Sequence, residues 1–212
     1  MGFNKIDARI ASDQYTNDYL AIHIDGVPLD IFLFELTQVE NYKGLVPAWL
    51  PLDNENEQEY IWEIFKRDSI VGVSLPVLIC PDDMDFSCTV IVAKVIYTED
   101  EVIWDRIGIV NRSNWNITEW RKSGIRNTGS WSVDDWNMYG DRFNLHDLWD
   151  SQWEGWISNN WKEEETRRLC DYVHQYFNKE ENVDWFHNIP KLVFGKEEYQ
   201  KCIEKFYERL CR

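Results

Sequence analysis

The chain has 212 residues, with 38 Asp plus Glu against 22 Lys plus Arg, a net charge of -16, and 12 Trp residues. That length suits one domain with room for an insertion. The acid excess argues against binding nucleic acid or an anionic membrane, both of which need a basic surface to neutralise phosphate. An aromatic share of 15% supplies the apolar content that disordered acidic chains lack.

The opening MGFNKIDARIAS has no apolar signal-peptide core, and no run of about 18 uncharged apolar residues follows, so a cytoplasmic protein is expected. Cys80, Cys88, Cys170, Cys202 and Cys211 form an odd, scattered set that fits free thiols in a reducing compartment. Cys80 and Cys88 are the one close pair. Their spacing is too wide for a zinc knuckle and no second pair completes four ligands, so neither a metal nor a cofactor is expected.

In chain order, Tyr19 to Ile24, then Asp25-Gly26, then Val27-Pro-Leu read as a strand entering a tight hairpin, because Asp-Gly supplies the positive φ angles of a two-residue turn. Ile31 to Val39 is compatible with strand or helix. Residues 55–68 predict a helix: acids lie in its first turn, Lys66 and Arg67 in its last, and Tyr60, Ile61, Ile64 and Phe65 share a face. Three apolar runs follow, Leu75 to Cys80, Cys88 to Tyr97 and Glu101 to Ile109, and predict an antiparallel meander. The middle run is apolar at nearly every position, as in a central strand covered on both faces.

The stretch 113–188 changes character. Eight of the twelve Trp residues lie between 115 and 161, and Trp115-Asn-Ile-Thr-Glu-Trp120 is echoed by Trp131-Ser-Val-Asp-Asp-Trp136. Asn160 to Phe177 predicts a helix, with an Asn cap and three Glu residues in the first turn. Lys191 to Phe194 predicts a last strand, and Lys196 to Leu210 an amphipathic helix with Tyr199, Cys202, Ile203, Phe206, Tyr207 and Leu210 on one stripe. The fold expected is therefore α+β: one domain over residues 1–212, a mostly antiparallel sheet of five or six strands with flanking helices, and a Trp-rich, partly helical insertion at 113–188.

The string from Leu75-Pro-Val-Leu-Ile-Cys-Pro-Asp-Asp-Met-Asp-Phe to Val92, with Val102-Ile-Trp-Asp-Arg-Ile-Gly and Leu192-Val-Phe-Gly-Lys-Glu-Glu-Tyr, resembles small bacterial proteins found beside polymorphic toxins. The Tyr19 to Leu29 hairpin fits the same pattern. The resemblance covers about half the chain and implies an immunity protein, which blocks a cognate toxin by binding it. The Trp-rich stretch is much longer here than in that pattern.

Residues 53–105 hold 13 acids against Lys66, Arg67 and Lys94, a field that speeds encounter with a basic partner or simply keeps the protein soluble. Asp82, Asp83 and Asp85 cluster at the end of an apolar strand. As Asp83-Met-Asp85 they have the D-x-D form that holds a divalent cation in some glycosyltransferases, although no βαβ series precedes them and an acidic hairpin loop explains them locally. Trp115, Trp120, Trp131 and Trp136 suit a small core, a protein interface or a sugar-stacking surface. His23, His146, His174 and His187 join no recognisable nucleophile, base or metal motif, so no catalytic residue is assigned. The expected function is binding of a basic protein toxin, with Asp82, Asp83, Asp85 and the four Trp residues as candidate contacts. A metal-dependent enzyme using Asp83 and Asp85, or a carbohydrate-binding module using the Trp cluster, is the alternative.

Overall fold

The computed structural model describes residues 2–11, 18–66, 71–113, 115, 159 and 172–210. The chain divides into two compact units, residues 1–115 with 173–212, and residues 116–172. All the elements named below belong to the first. Trp120, Trp131 and Trp136 lie outside the described residues, and of the helix expected at 160–177 only the end is described, as helical residues 172–178.

The architecture is α+β, with the strands paired antiparallel. A small sheet contains β1 (Ile6–Ala11), β2 (Tyr19–Ile24) and β3 (Val27–Pro28) in that order. Asp25 and Gly26 take φ values of 51° and 90°, and Ile24 faces Val27, the geometry that an Asp-Gly hairpin turn requires. β1 was not anticipated: only Ile6 and Ala8 are buried, so its inward face is short and its periodicity faint. The ambiguous run after β3 is helix, α1 (Leu29–Thr37). It buries Leu29 and Leu33 one turn apart and ends at Gln38, whose left-handed φ of 59° sends its N–H to the Phe34 carbonyl at 2.7 Å.

The larger sheet holds β4 (Val46–Pro47), β5 (Val71–Ile79), β6 (Val90–Tyr97), β7 (Glu101–Val110) and β8 (Val183–Trp185), in sequence order, with β9 (Leu192–Gly195) also on β7. The meander is β5–β6–β7. In the middle of it, Val90, Ile91, Val92 and Ala93 are all 0% exposed, as a strand covered on both faces should be. β8 was counted in the Trp-rich stretch by sequence and proves to be sheet. It lies so close to β7 that a Cβ on Gly108 would meet the Asp184 carbonyl oxygen and Val183 Cγ1, each at 2.8 Å. Beside it Arg106 forks onto Glu180 at 2.9 and 3.0 Å and lies over the Trp185 ring.

Two helices cover the sheet. α2 (Glu55–Phe65) stops before the expected residue 68, and α3 (Lys196–Leu210) has the predicted bounds. On α3 the residues Tyr199, Cys202, Ile203 and Phe206 are buried, while Tyr207 sits at the margin with its ring edge-on to Trp62. Trp49 is the hub of the core: fully buried, it makes edge contacts with Phe65, Trp104, Tyr199 and Phe206, at centroid distances of 5.1 to 6.4 Å. Its indole N–H donates to the Pro76 carbonyl at 2.9 Å. Pro76 borders an irregularity in the β5–β6 register, where a strand tolerates proline.

Candidate functional site

The acidic cluster occupies the connection from β5 to β6. Cys80 donates its N–H to the Thr89 carbonyl at 3.1 Å, closing the base of the loop. Residues 81–83 then turn, Met84 donates back to the Cys80 carbonyl at 3.3 Å, and Met84 takes a left-handed φ of 44°. Asp82 and Asp83 are exposed at the tip. Asp85 is half-buried and accepts the Ser87 N–H at 2.7 Å, the local capping role expected of an acid in such a loop.

Phe86 anchors this loop from below. Its ring is 0% exposed and lies 6.3 Å from Tyr60 and 5.6 Å from Phe177. Its N–H donates to the Glu57 carboxylate at 2.7 Å, and its carbonyl accepts from the Arg112 guanidinium. Glu57 is 1% exposed. Burial, with Asp85 nearby, pushes its carboxyl up to about 7, against the opposing pull of the Phe86 N–H and Arg112. Burial likewise lowers Arg112, whose neighbours include Glu57 and Asp85.

Trp115 joins the same assembly. It stacks on Phe177 at 5.6 Å and meets Tyr176 edge-on at 4.8 Å, while the Arg112 guanidinium lies over its ring at 4.7 Å. Of the candidate contacts, the three Asp residues and Trp115 thus flank one structure, the Phe86 anchor. Trp115 serves that anchor as packing rather than as an isolated stacking platform.

Neither Glu57 nor Arg112 was singled out by sequence. Glu57 carried a readable signal: three, four and seven residues before Tyr60, Ile61 and Ile64, it is an acid on the apolar face of α2. Arg112 carried none. His23 is buried and its Nδ1 lies 3.2 Å from the Ala21 carbonyl, so it is a satisfied strand residue.

The fold gathers one further grouping around the Cys80/Cys88 pair, whose linear spacing matches no zinc knuckle. The sulfurs of Cys80 and Cys88 and a carboxylate oxygen of Asp83 all lie within 4.8 Å of one another. Burial pushes the Cys80 thiol above the usual range. Cys202 is different in kind: it is buried under α3, where burial pushes its thiol up to about 12 and leaves it inert. Asp83 therefore falls with two cysteines, whereas Asp85 turns back onto Ser87.

Among the described residues, no helix is long and apolar enough to cross a membrane. Comparison with protein-family models, with curated proteins and with solved structures found no match to this chain.

Proposed function

We propose that this chain is a non-enzymatic binding protein of the cytoplasm, an immunity protein that neutralises a bacterial protein toxin by docking onto a basic surface of it. The observation that carries this reading is the anchored acidic loop. Asp82 and Asp83 stand exposed on a turn whose base is held by the Cys80–Thr89 hydrogen bond and whose floor is held by Glu57 and Arg112. A loop fixed before encounter spends little ordering entropy on binding, and its charge steers a basic partner toward it. The sequence resemblance to proteins encoded beside polymorphic toxins supports the same class of partner.

The sugar-binding alternative rests on the Trp cluster. Trp115, its one described member, is engaged by Phe177, Tyr176 and Arg112, which favours packing over sugar stacking at that position. The glycosyltransferase-like alternative needs Asp83 and Asp85 to share a cation, and the Asp85 bond to Ser87 does not favour it.

The test is genetic, then kinetic. A neighbouring open reading frame is expected to encode a large protein whose C-terminal domain stops growth when expressed alone, and co-expression of this chain is expected to restore growth. Failure to restore it removes the immunity reading. With that toxin in hand, reversing the exposed Asp82 and Asp83 to Lys is expected to slow association and flatten its dependence on salt while leaving the melting temperature close to wild type.

A further inference from the structure

The geometry points to a binding site for a thiophilic divalent cation, zinc in the first instance, formed by Cys80, Asp83 and Cys88 at the base of the acidic loop. The spacing Cys80-Pro81-Asp82-Asp83 places two donors three residues apart on one tight turn, which is the C-x2-x spacing of structural zinc sites with a carboxylate in place of the second thiolate. The turn has the features that such a site needs. Met84 returns its N–H to the Cys80 carbonyl at 3.3 Å and adopts a φ of 44°, so the chain doubles back immediately after the second donor.

The third donor arrives from the other arm of the loop. The Cys80 N–H to Thr89 carbonyl bond brings the start of β6 alongside the end of β5, and Cys88 is presented next to Cys80. The three donor atoms lie within 4.8 Å of one another, a cage that closes readily to the roughly 3.8 Å separations which Zn–S bonds of about 2.3 Å impose in a tetrahedron. Among the described residues, no other group of three His, Cys, Asp or Glu donors gathers this tightly.

Cys88 Sγ lies 3.9 Å from the Thr89 hydroxyl. Such a contact orients a metal-bound thiolate. A disulfide would use the two sulfurs but not the Asp83 carboxylate gathered beside them. Two thiolates and one carboxylate neutralise a divalent cation with one charge in excess and leave the fourth tetrahedral position to solvent. Binding displaces the two thiol protons to bulk water, so uptake strengthens as pH rises.

Zinc binding at Cys80, Asp83 and Cys88 requires no toxin partner, although Asp83 is shared with the proposed docking loop. Reduced, chelator-treated full-length protein is titrated with zinc, and with cobalt(II) as a coloured substitute. The wild type is expected to bind one zinc per chain and to give the intense thiolate-to-cobalt absorption and visible bands of a tetrahedral cobalt site. Cys80→Ser and Cys88→Ser should each abolish those bands, Asp83→Asn should weaken zinc binding roughly tenfold or more, and Cys202→Ala, at a buried thiol outside the group, should leave both unchanged. Asp83 is exposed, so its variant folds, and the near-ultraviolet dichroism of Trp49 and Trp104 verifies that for each protein. Two results would overturn the site: no zinc uptake by wild type, or full uptake by the Cys80→Ser/Cys88→Ser double variant.

Discussion

The Glu57 carboxylate receives the Phe86 backbone N–H at 2.7 Å, joining helix α2 to the acidic loop through a buried acid with an aromatic residue beneath the loop tip. The bond is placed where it costs most and orders most. A carboxylate 1% exposed is expensive to ionise, and its acceptor capacity is the feature that fixes the course of the loop.

Stability should consequently carry the signature of Glu57. Its folded-state pKa of about 7 lies above the ordinary 4.5, so between those values the folded chain holds more protons than the unfolded chain. Stability from this group is full below pH 4.5, falls as pH rises toward 7 and levels off above, by an amount on the order of 3 kcal/mol. Glu57→Gln keeps an acceptor for Phe86 and removes the titration. Urea unfolding at a series of pH values should show the variant lacking this decline, and parallel curves for the two proteins would count against the assignment.

Arg112 holds the other side of the same peptide. In Arg112→Met the Phe86 carbonyl loses its donor and Trp115 loses the cation over its ring, at a cost of about 1–3 kcal/mol. Glu57 also loses a favourable charge, so its titration midpoint should move upward. Carboxyl chemical shifts followed against pH would report that movement directly.

Removing the hub of the core should be severe. Trp49→Ala leaves four ring contacts and the Pro76 carbonyl without their partner, and a loss of about 3–5 kcal/mol is expected. Trp49→Phe retains aromatic packing while deleting the indole N–H, and should lose less. Denaturant midpoints of the pair separate the cavity from the hydrogen bond.

Gly108→Ala tests the seam between β7 and β8. The new methyl would press on backbone at Asp184 and Trp185 and on the Val183 side chain, so β8 must shift or detach. Amide exchange at 183–185 should accelerate relative to the β5–β6 ladder, with a fall in stability of about 1–3 kcal/mol. Unchanged protection at those amides would mean the seam yields without cost.

Much of the fold was legible because its strongest elements obey local rules. Asp25-Gly26 names its own turn, β6 declares itself central by being apolar at nearly every position, and α3 shows a clean 3.6-residue stripe. The elements missed are those made by partners rather than by pattern. β8 is three residues long and exists because Gly108 admits it, and β1 buries only two side chains. At the site, Asp82, Asp83 and Asp85 were visible as a charge cluster, but the Phe86 anchor joins residues 57, 86 and 112, and no linear spacing encodes that meeting. The convergence of Cys80, Asp83 and Cys88 was obscured for a related reason: a motif written in cysteines does not count a carboxylate as its second member.

The ends of the 116–172 segment are fastened within the first unit. Trp115 packs on Tyr176 and Phe177, the Tyr176 hydroxyl donates to the Asn111 carbonyl at 2.7 Å, and the Asn111 N–H donates to the Asn182 carbonyl at 2.8 Å. Departure and return of the chain are thus joined by bonds that the segment itself does not make. Because Asn111, Trp115, Tyr176 and Asn182 are tied to one another, loosening any one of them slackens both the exit from β7 and the entry to β8.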